Sequence, residues 1–315
     1  MPSALSADLT VIIISYNTRA LTLAALRTLY ANTKITRFQT IVFDNASSDG
    51  SADAIAAEFP QVSLIHSAEN LGFARANNVV AAQVTTEWLL LLNPDTEVHD
   101  GAIDNLMRFG RAQPKAGIYG GRTVFPDGRL NIASCWNKIT PWSTFCAATG
   151  LTAAFPTSRL FNPEALCGWA RDSVREVDIV VGCFLLIRRS LWAELGGFDL
   201  RYFMYGEEAD LCLRAARLGY QPMITPDAEI MHIVGAANAS RQGKQLLLAK
   251  ARVTLILDHW PNWQVPLGIG LMWLWAALRL AAARALHLLT GTRGAGRLAL
   301  WSEVWKQRKD WLRGY

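Results

Sequence analysis

The stretch Leu9–Ser15, LTVIIIS, decides the fold class, because it is apolar, rich in β-branched residues and free of charge. A run of this kind is typical of a strand buried on both faces, as in parallel sheets. Thr18 is placed to cap a following helix, which we expect to reach about residue 30. The chain therefore opens as a strand followed by a helix, the first half of a βαβ unit.

The alternation of strand and helix continues along the chain. Further strands are predicted at residues 40–43, 62–65 and 88–92, with helices between them at residues 51–59 and 72–83. This pattern predicts an α/β fold with a mainly parallel, doubly wound sheet. Ligands of such sheets bind beyond the carboxyl ends of the strands.

Polar residues follow the predicted strands at those ends. They are Tyr16 and Asn17, Asp44 and Asn45, Asn70, and Asn93 and Asp95. Because parallel strands end at one edge of a sheet, we expect these side chains to surround a ligand. The alternative is that Asn and Asp stand there only as good turn formers.

The second half of the chain is less regular. Residues 121–176 are rich in Trp, Pro and small polar residues and predict no clear element. Residues 177–187, VDIVVGCFLLI, predict a buried strand with Gly182 inside it. Helices are predicted at residues 210–218 and 249–260.

The composition describes a globular body with a basic tail. The 315 residues are 51% hydrophobic, which is ample for a core, and the net charge is +5. Residues 279–315 hold eight Lys or Arg against two Asp or Glu, so the remainder is nearly neutral. This distribution argues against nucleic acid as a partner and for an anionic surface contacted by the tail.

The beginning of the chain and its cysteines predict a location in the cytoplasm. The first residues show no signal-peptide pattern, and the five cysteines form no CxxC pair and no zinc-ligand spacing. We expect reduced thiols in a cytosolic protein.

Of the first two polar segments, only the second carries a residue suited to chemistry on a diphosphate. The turn after the first strand, SYNTRA, matches neither a dinucleotide-binding loop nor a P-loop. Asn93-Pro94-Asp95-Thr96 follows the run WLLLL, where a carboxylate can bind Mg²⁺ or Mn²⁺ together with diphosphate oxygens. Such an ion neutralises charge on a leaving diphosphate. Asn-Pro-Asp is also an ordinary turn.

A third segment, FMYGEEADLCLR at residues 203–214, clusters Glu207, Glu208 and Asp210. Adjacent acids raise one another's pKa, which suits a general base. They also stabilise a helix N-terminus, and that alternative stays open. His232 follows the strand-like run AEIMH and is a candidate metal ligand, with a structural role as the alternative.

Four motifs, in order, resemble family 2 glycosyltransferases with the GT-A fold. They are TVIIISYN, VFDNASSDGS with ENLGFARANN, LLLLNPDTE, and GGFDLRYFMYGEEADLCLR. The likeness covers roughly residues 8–260. We therefore expect a catalytic domain over residues 1–260 and an apolar, basic helical region over residues 261–315.

Within the family, the chain looks most like bacterial rhamnosyltransferase-type members, which often transfer L-rhamnose from dTDP-rhamnose. The resemblance implies a metal-dependent, inverting enzyme. It would move a sugar from a nucleotide diphosphate-sugar to a glycan or polyprenyl-linked glycan in cell-surface polysaccharide synthesis.

The resemblance also implies roles for single residues. Asp95 stands at the D-x-D position, where the first acid is Asn93, and His232 matches a further metal ligand. Glu208 matches the base, where the family usually has Asp, so Glu207 and Asp210 remain alternatives. The residues that match the nucleotide-sugar pocket are Tyr16, Asn17, Asp44, Asn45, Asn70, Gly72, Phe73, Arg75, Asn78 and Asn93.

Two other functions compete with this interpretation. A sugar nucleotidyltransferase shares an α/β nucleotide-binding sheet, but it needs a Gly-rich, Arg-containing loop that SYNTRA does not provide. A catalytically inactive relative that scaffolds a membrane assembly is the second alternative, and the presence of Asp95, Glu208 and His232 argues against it.

The C-terminal region predicts peripheral association with the inner face of the plasma membrane. Residues 265–278 are apolar, but 14 residues fall short of the ~20 that a spanning helix needs. A longer helix would bury Arg279 and Arg284, which we expect to reach toward lipid headgroups instead. Tryptophans that favour such interfaces are Trp260, Trp263, Trp273, Trp275, Trp301, Trp305 and Trp311. The alternative is a packed helical subdomain or a homo-oligomer contact.

Overall fold

The computed structural model describes residues 7–233 and 241–315. The strands are β1 (Leu9–Ser15), β2 (Phe38–Asp44), β3 (Ser63–His66), β4 (Trp88–Leu92), β5 (Thr96–Val98), β6 (Ile118–Val124), β7 (Leu130–Asn131), β8 (Cys135–Trp136), β9 (Arg175–Glu176), β10 (Ile179–Val180), β11 (Phe184–Arg188) and β12 (Met223–His232).

The helices follow the strands in the order that the sequence predicts for the first half. They are α1 (Arg19–Asn32), α2 (Ser51–Glu58), α3 (Gly72–Ala81), α4 (Ala102–Ala112), α5 (Pro141–Thr149), α6 (Leu151–Ala154), α7 (Arg189–Leu195), α8 (Glu207–Arg217), α9 (Arg241–His259), α10 (Val265–Thr290), α11 (Ala295–Lys306) and α12 (Arg308–Trp311), with 3₁₀ turns at Pro163–Ala165 and Gly291–Gly294.

The chain forms two compact units. The first, here called the sheet unit, comprises Met1–Trp136 and Trp169–Ala237. The second, the helical unit, comprises Asn137–Gly168 and Asn238–Tyr315. The structural units are therefore not divided at residue 260, since the segment 137–168 belongs with the C-terminal helices. The functional division at residue 260 stays a prediction.

The sheet unit is built on one mixed sheet in the order β3-β2-β1-β4-β11-β6-β12-β5. Strands β3, β2, β1 and β4 pair in parallel, as do β6 and β12. Strand β11 lies antiparallel to both of its neighbours, β4 and β6, so the two parallel groups run in the same direction. The predicted mainly parallel sheet is present, and β1 is buried along its whole length.

One predicted strand is wrong. Residues 177–187 form two strands rather than one, because β10 pairs with β8 in a separate small sheet while β11 joins the main sheet. The chain changes sheets between Val180 and Phe184. Gly182 lies in this connection, where a Cβ atom would come 3.3 Å from the Phe73 ring. The glycine therefore marks a close approach of the backbone to another loop, not a strand interior.

Helix boundaries in the second half also differ from the predictions. Helix α8 begins at Glu207 rather than residue 210, so all three acids of the cluster lie in its first turn. Helix α9 extends over Arg241–His259, well before the predicted start at residue 249.

Partly buried charged side chains connect the segment 137–168 to the C-terminal helices of the helical unit. Arg252 of α9 forms two hydrogen bonds with the Glu164 carboxylate, at 2.7 and 2.8 Å. Arg279 of α10 donates to the carbonyl oxygens of Ala147 and Ala148, near the C-terminus of α5. Burial, with a smaller effect of Arg252, lowers the pKa of Arg279 to about 10. These contacts bind the segment 137–168 to the C-terminal helices.

Helix α10 is longer than the apolar stretch of residues 265–278 that the sequence analysis identified. The helix has 26 residues and continues through Arg279 to Thr290, because the alanine-rich residues that follow Arg279 are strong helix formers. Within the described residues it alone is long and apolar enough to cross a membrane by length and composition. Arg279 contacts α5 and does not reach outward as expected.

Several of the C-terminal tryptophans contact one another in the helical unit, but only Trp260 and Trp311 of the seven are buried. Trp275 contacts the rings of Trp301 and Trp311 at centroid distances of 5.0 and 6.2 Å, and Trp311 is fully buried. Trp263 and Trp273 are exposed. Part of the expected row of interfacial tryptophans therefore packs within the helical unit, and a role of the remainder at a membrane stays a prediction.

Candidate active site

The loops after β1 and β2 are tied to each other. Asn17 adopts a positive φ of 52°, and its side-chain oxygen accepts a hydrogen bond from the Ser48 backbone N–H at 2.7 Å. The Asn17 backbone N–H donates to the Ser47 hydroxyl at 3.0 Å. Asn17 therefore fixes the shape of both loops, while its neighbour Tyr16 is exposed beside them.

Asp44 ends β2 and is buried with one unsatisfied oxygen. Its Oδ2 atom accepts from the Ser47 backbone N–H at 3.3 Å, whereas Oδ1 has no hydrogen-bond partner in the protein. A buried acceptor without a partner costs free energy unless a ligand satisfies it. Asp44 is thus suited to accept a hydrogen bond from a nucleobase.

Asn45 connects the second loop to the third. Its amide nitrogen donates to the Asn70 side-chain oxygen at 3.0 Å, and its own side-chain oxygen accepts from the Leu71 backbone N–H at 2.8 Å. The Asn70 oxygen also accepts from the Gly72 backbone N–H. Both polar atoms of the Asn45 side chain and the side-chain oxygen of Asn70 therefore hold this loop in place.

Gly72 and Phe73 bring the third loop against the loop before α8. The φ of Gly72 is +75°, and a Cβ atom there would lie only 2.5 Å from the Phe203 carbonyl oxygen. The Phe73 backbone N–H donates to that same oxygen at 3.3 Å. A side chain at residue 72 is excluded by both the conformation and the contact.

Asn78 and Arg75 take different positions on α3. The Asn78 amide donates to the Phe198 carbonyl at 2.8 Å and accepts from the Phe198 N–H at 2.9 Å. Its polar groups thus anchor the loop at residue 198, and a direct nucleotide contact stays a prediction. Arg75 is exposed.

Asp95 and His232 lie together although 137 residues separate them in the chain. The Asp95 Oδ1 atom is 3.3 Å from the His232 Nε2 atom, and both residues are largely buried. Burial lowers the pKa of His232, but the neighbouring Cys183 and Asp95 outweigh burial and raise it to about 10. The His232 Nδ1 atom is buried without a hydrogen-bond partner.

This pair fits a divalent cation as a minimal protein site. No group of three or more His, Cys, Asp or Glu side chains with metal-binding geometry occurs in the described part of the chain. A carboxylate and an imidazole would leave most coordination positions to waters and phosphate oxygens, as Mg²⁺ usually requires at a substrate phosphate. The cation would have to displace the proton of His232.

The three acids at the start of α8 have distinct environments. Asp210 is buried and paired with Arg214 at 2.7 Å. Glu207 is buried with its Oε2 atom unpartnered, and burial together with Glu208 raises its pKa well above the usual value. Glu208 is partly exposed. Partial burial of its carboxyl group also raises its pKa above the usual value.

Comparison with known proteins identifies the family. The model of glycosyl transferase family 2 matches residues 10–193, more than half of the chain. The chain belongs to this family. It is a glycosyltransferase, as its motifs predicted, and the alternative of a sugar nucleotidyltransferase is wrong.

The relatives of this glycosyltransferase include rhamnosyltransferases. It is 29% identical over 258 residues to an N-acetylglucosaminyl-diphospho-decaprenol L-rhamnosyltransferase of Mycobacterium tuberculosis, covering 72% of the chain and 77% of that protein. It is 28% identical over 181 residues to the rhamnosyltransferase WbbL of Escherichia coli, covering 54% and 63%. The predicted likeness to bacterial rhamnosyltransferases is confirmed.

Solved structures confirm the GT-A fold. The mannosyltransferase PcManGT from Pyrobaculum calidifontis, in complex with GDP-Man and Mn²⁺, aligns with a TM-score of 0.58 at 20% identity. The alignment covers 98% of this glycosyltransferase and 84% of PcManGT. GalNAc-T7 with UDP, GalNAc and Mn²⁺ aligns with a TM-score of 0.57 at 14% identity, covering 83% and 50%.

The sequence interpretation missed Gly182 and Cys183, which bring the loop at Phe73, the start of α8 and the segment at Asn93 together. Gly182 approaches both Phe73 and Glu208, since a Cβ atom there would lie 3.3 Å from the Phe73 ring and 3.9 Å from the Glu208 Cβ. The carbonyl of the next residue, Cys183, accepts from the Asn93 backbone N–H at 3.0 Å. A glycine within an apolar run was the available signal, because it marks close backbone approach.

Proposed function

We propose that this glycosyltransferase transfers L-rhamnose from a dTDP-activated donor to a lipid-linked glycan, with inversion at the anomeric carbon and with the help of Mg²⁺ or Mn²⁺. The observation that carries the chemistry is the 3.3 Å pairing of Asp95 with His232 beside the connection that also approaches Glu208. The donor and acceptor are proposed from the mycobacterial relative, whose name specifies a rhamnosyl transfer to N-acetylglucosaminyl-diphospho-decaprenol.

Asp44, Asn17 and the loop around Gly72 would form the nucleotide pocket. The unsatisfied Asp44 oxygen would accept from the base, and the loops that Asn17, Asn45 and Asn70 hold would enclose the nucleoside. Asp95 and His232 would hold the divalent cation, which supplies positive charge to the departing diphosphate. Both solved neighbours contain Mn²⁺, which supports a divalent cation here.

Glu208 would act as the general base. Asp210 is occupied by Arg214 and Glu207 is buried, whereas Glu208 is partly exposed and so accessible to an acceptor. Its carboxylate would take the proton of the acceptor hydroxyl while that oxygen bonds to the anomeric carbon. The bond from that carbon to the diphosphate breaks on the opposite face, so the configuration inverts and nucleoside diphosphate leaves.

We further propose that the enzyme works at the inner face of the plasma membrane and contacts anionic lipid through residues 265–315. The 26-residue α10 removes the argument from length against a membrane span. The argument for a peripheral helix is instead its packing, because Arg279 and the buried face of α10 are engaged within the helical unit.

A donor screen tests the proposal. Purified protein is incubated with dTDP-, UDP- and GDP-sugars, with and without a polyprenyl-diphosphate-linked N-acetylglucosamine acceptor, and nucleotide release is measured. We expect acceptor-dependent release from dTDP-rhamnose that EDTA abolishes, and a product whose anomeric configuration is opposite to the donor's. Turnover of a UDP- or GDP-sugar alone would overturn the donor, and inertness toward all donors would favour the scaffold alternative.

A further inference from the structure

The segment 137–168 exposes a group of large apolar side chains on the helical unit. Trp142, Phe145, Phe155 and Leu160 have exposed fractions of 43%, 39%, 50% and 59%. Single exposed apolar residues need no explanation, but a contiguous group marks an interaction surface. Together with Phe161 we call these residues the aromatic patch.

The rings of the aromatic patch form one continuous row. Phe145 stacks on Trp142 at a centroid distance of 5.6 Å, and Trp142 contacts Phe161 at 6.3 Å. Phe161 in turn contacts Phe155 at 5.1 Å. The patch is therefore one surface assembled from α5 and the chain after α6.

Polar contacts beneath the rings hold the patch in shape. The Trp142 indole N–H donates to the Leu160 carbonyl at 2.7 Å, and the Thr152 hydroxyl donates to the Phe161 carbonyl at 2.8 Å. Thr140 and Ser143 form a capping box at the start of α5. A surface ordered in this way needs no rearrangement to bind, so little conformational entropy is lost on contact.

The charged side chains of the segment that carries the patch have one sign. Residues 137–163 contain Lys138 and Arg159, both exposed, and no Asp or Glu. The next acid, Glu164, is engaged by Arg252. Although burial raises the pKa of Glu164, Arg252 lowers it below its usual value and keeps the carboxylate ionised. Within residues 137–164 the chain therefore presents aromatic rings and two exposed cationic side chains, and its one carboxylate is paired with Arg252.

We propose that the aromatic patch docks the enzyme on an anionic lipid bilayer, with its rings in the headgroup region. Tryptophan and phenylalanine insert at that depth, and lysine and arginine gain from anionic headgroups. A protein partner would also accept aromatic rings, but the one-sided charge favours a uniformly anionic surface. The inference rests on the lipid-linked acceptor proposed above and adds a second contact, separate in sequence from residues 265–315.

Flotation of the full-length chain with vesicles tests the docking surface. The patch variant is F145S/F155S/L160S, which keeps Trp142 and its hydrogen bond. The control variant, I35S/V174S/L218S, removes three exposed apolar side chains from the sheet unit. A tail variant, L288S/L289S, removes two side chains that are each 85% exposed on α10. Vesicles contain phosphatidylcholine alone or with phosphatidylglycerol.

We expect the patch variant to lose at least roughly tenfold in partitioning onto phosphatidylglycerol vesicles, with an unchanged melting temperature and no loss in the control variant. Wild-type partitioning by the patch variant would overturn the proposal, whether or not the tail variant is impaired. A patch variant that turns from dimer to monomer by light scattering while still binding vesicles would assign the surface to a second copy and also overturn it.

The same preparations separate this proposal from the proposed function. Nucleotide release from dTDP-rhamnose is measured with a water-soluble acceptor, so that it does not depend on vesicles. If the patch variant fails to bind vesicles but wild type shows no transfer from any donor, the docking surface stands and the proposed reaction falls.

Discussion

The candidate site of the sheet unit and the helical unit differ in how completely their ionisable side chains are hydrogen-bonded. At the site of the sheet unit, Asp44, Glu207 and His232 each keep a buried polar atom without a partner. In the helical unit, Glu164 and Arg252 satisfy each other with two hydrogen bonds, and Arg279 is bound to helix carbonyls.

The difference indicates where a bound ligand would provide hydrogen-bond partners that the protein lacks. An unpaired buried polar atom destabilises the folded state unless a bound molecule or water satisfies it. Paired charges stabilise a specific packing and need nothing further. The sheet unit thus carries the features of a binding and catalytic site, whereas the Glu164–Arg252 pair of the helical unit is complete within the protein.

The largest expected effect is the loss of the base. Glu208→Gln should lower kcat by roughly 10²–10⁴-fold, because the amide cannot accept the acceptor proton, while donor binding is kept. Steady-state nucleotide release and donor-induced thermal shift measure the two effects. Glu207→Gln is the matched control, and a dead Glu207→Gln beside an active Glu208→Gln would assign the base to Glu207.

Removing the metal carboxylate should have the next largest effect. Asp95→Asn should reduce metal-stimulated activity at least about a hundredfold, since one of two protein ligands is lost. Titration with Mn²⁺ at fixed donor concentration measures both affinity and rate. The control is Asp127→Asn, an exposed acid on the same unit. Full wild-type activity in EDTA would contradict the prediction.

Breaking the ion pair of the helical unit should lower stability rather than catalysis. Glu164→Gln leaves the Arg252 charge with a neutral partner and should cost about 1–3 kcal/mol, less than the ~3–5 of a fully buried pair, because both side chains keep some exposure. Chemical denaturation measures the cost. The double variant E164M/R252M should recover part of this cost. If Glu164→Gln does not change stability, the ion pair does not stabilise the helical unit.

The connection at Gly182 should be sensitive to one added methyl group. Gly182→Ala places a Cβ 3.3 Å from the Phe73 ring and should lower kcat/KM roughly tenfold by shifting Phe73 or Glu208. Gly296→Ala is the control, since a Cβ there meets nothing within 4 Å. Equal activity of the two variants would show that residue 182 only permits the chain to change sheets.

The smallest expected effect is an increase in stability on replacing Glu207, whereas replacing Glu164 should decrease stability. Because the pKa of Glu207 is raised in the folded state, its ionisation costs stability as the pH rises from the usual value of 4.5 through the raised value. Glu207→Gln should therefore match wild type in acid and melt higher at alkaline pH, by roughly 2–4 °C for each kcal/mol. A lower melting temperature at alkaline pH would mean that the carboxylate is stabilised in the fold.

The sequence was sufficient for the first half of the site. Buried strands have strong apolar patterns, and strand ends carry polar residues, so the pattern alone placed Asp44, Asn45, Asn70 and Asp95 at one edge of the sheet. Their family roles followed from motifs that are short and local. These are properties of neighbouring residues, which a linear pattern records well.

Other features depended on contacts between distant residues. The approach of His232 to Asp95, the engagement of Asp210 by Arg214 and the meeting of Gly182 with Phe73 arise from packing across the sheet unit. Local pattern carries no information on which distant side chains meet. Burial and pairing therefore distinguished the three acids of α8, among which the motif favoured Glu208 and left Glu207 and Asp210 as alternatives.

The sequence by itself determined the family, the parallel strands and the set of candidate acids, because periodicity and motif spacing are local. Only the tertiary structure decided that 137–168 joins the C-terminal helices, that α10 continues through Arg279, and that Trp275 packs against Trp301 and Trp311. The physical reason is that the free energy of moving an apolar or aromatic side chain out of water is similarly favourable in a protein core and at a membrane interface. The partner that buries it is fixed by the fold.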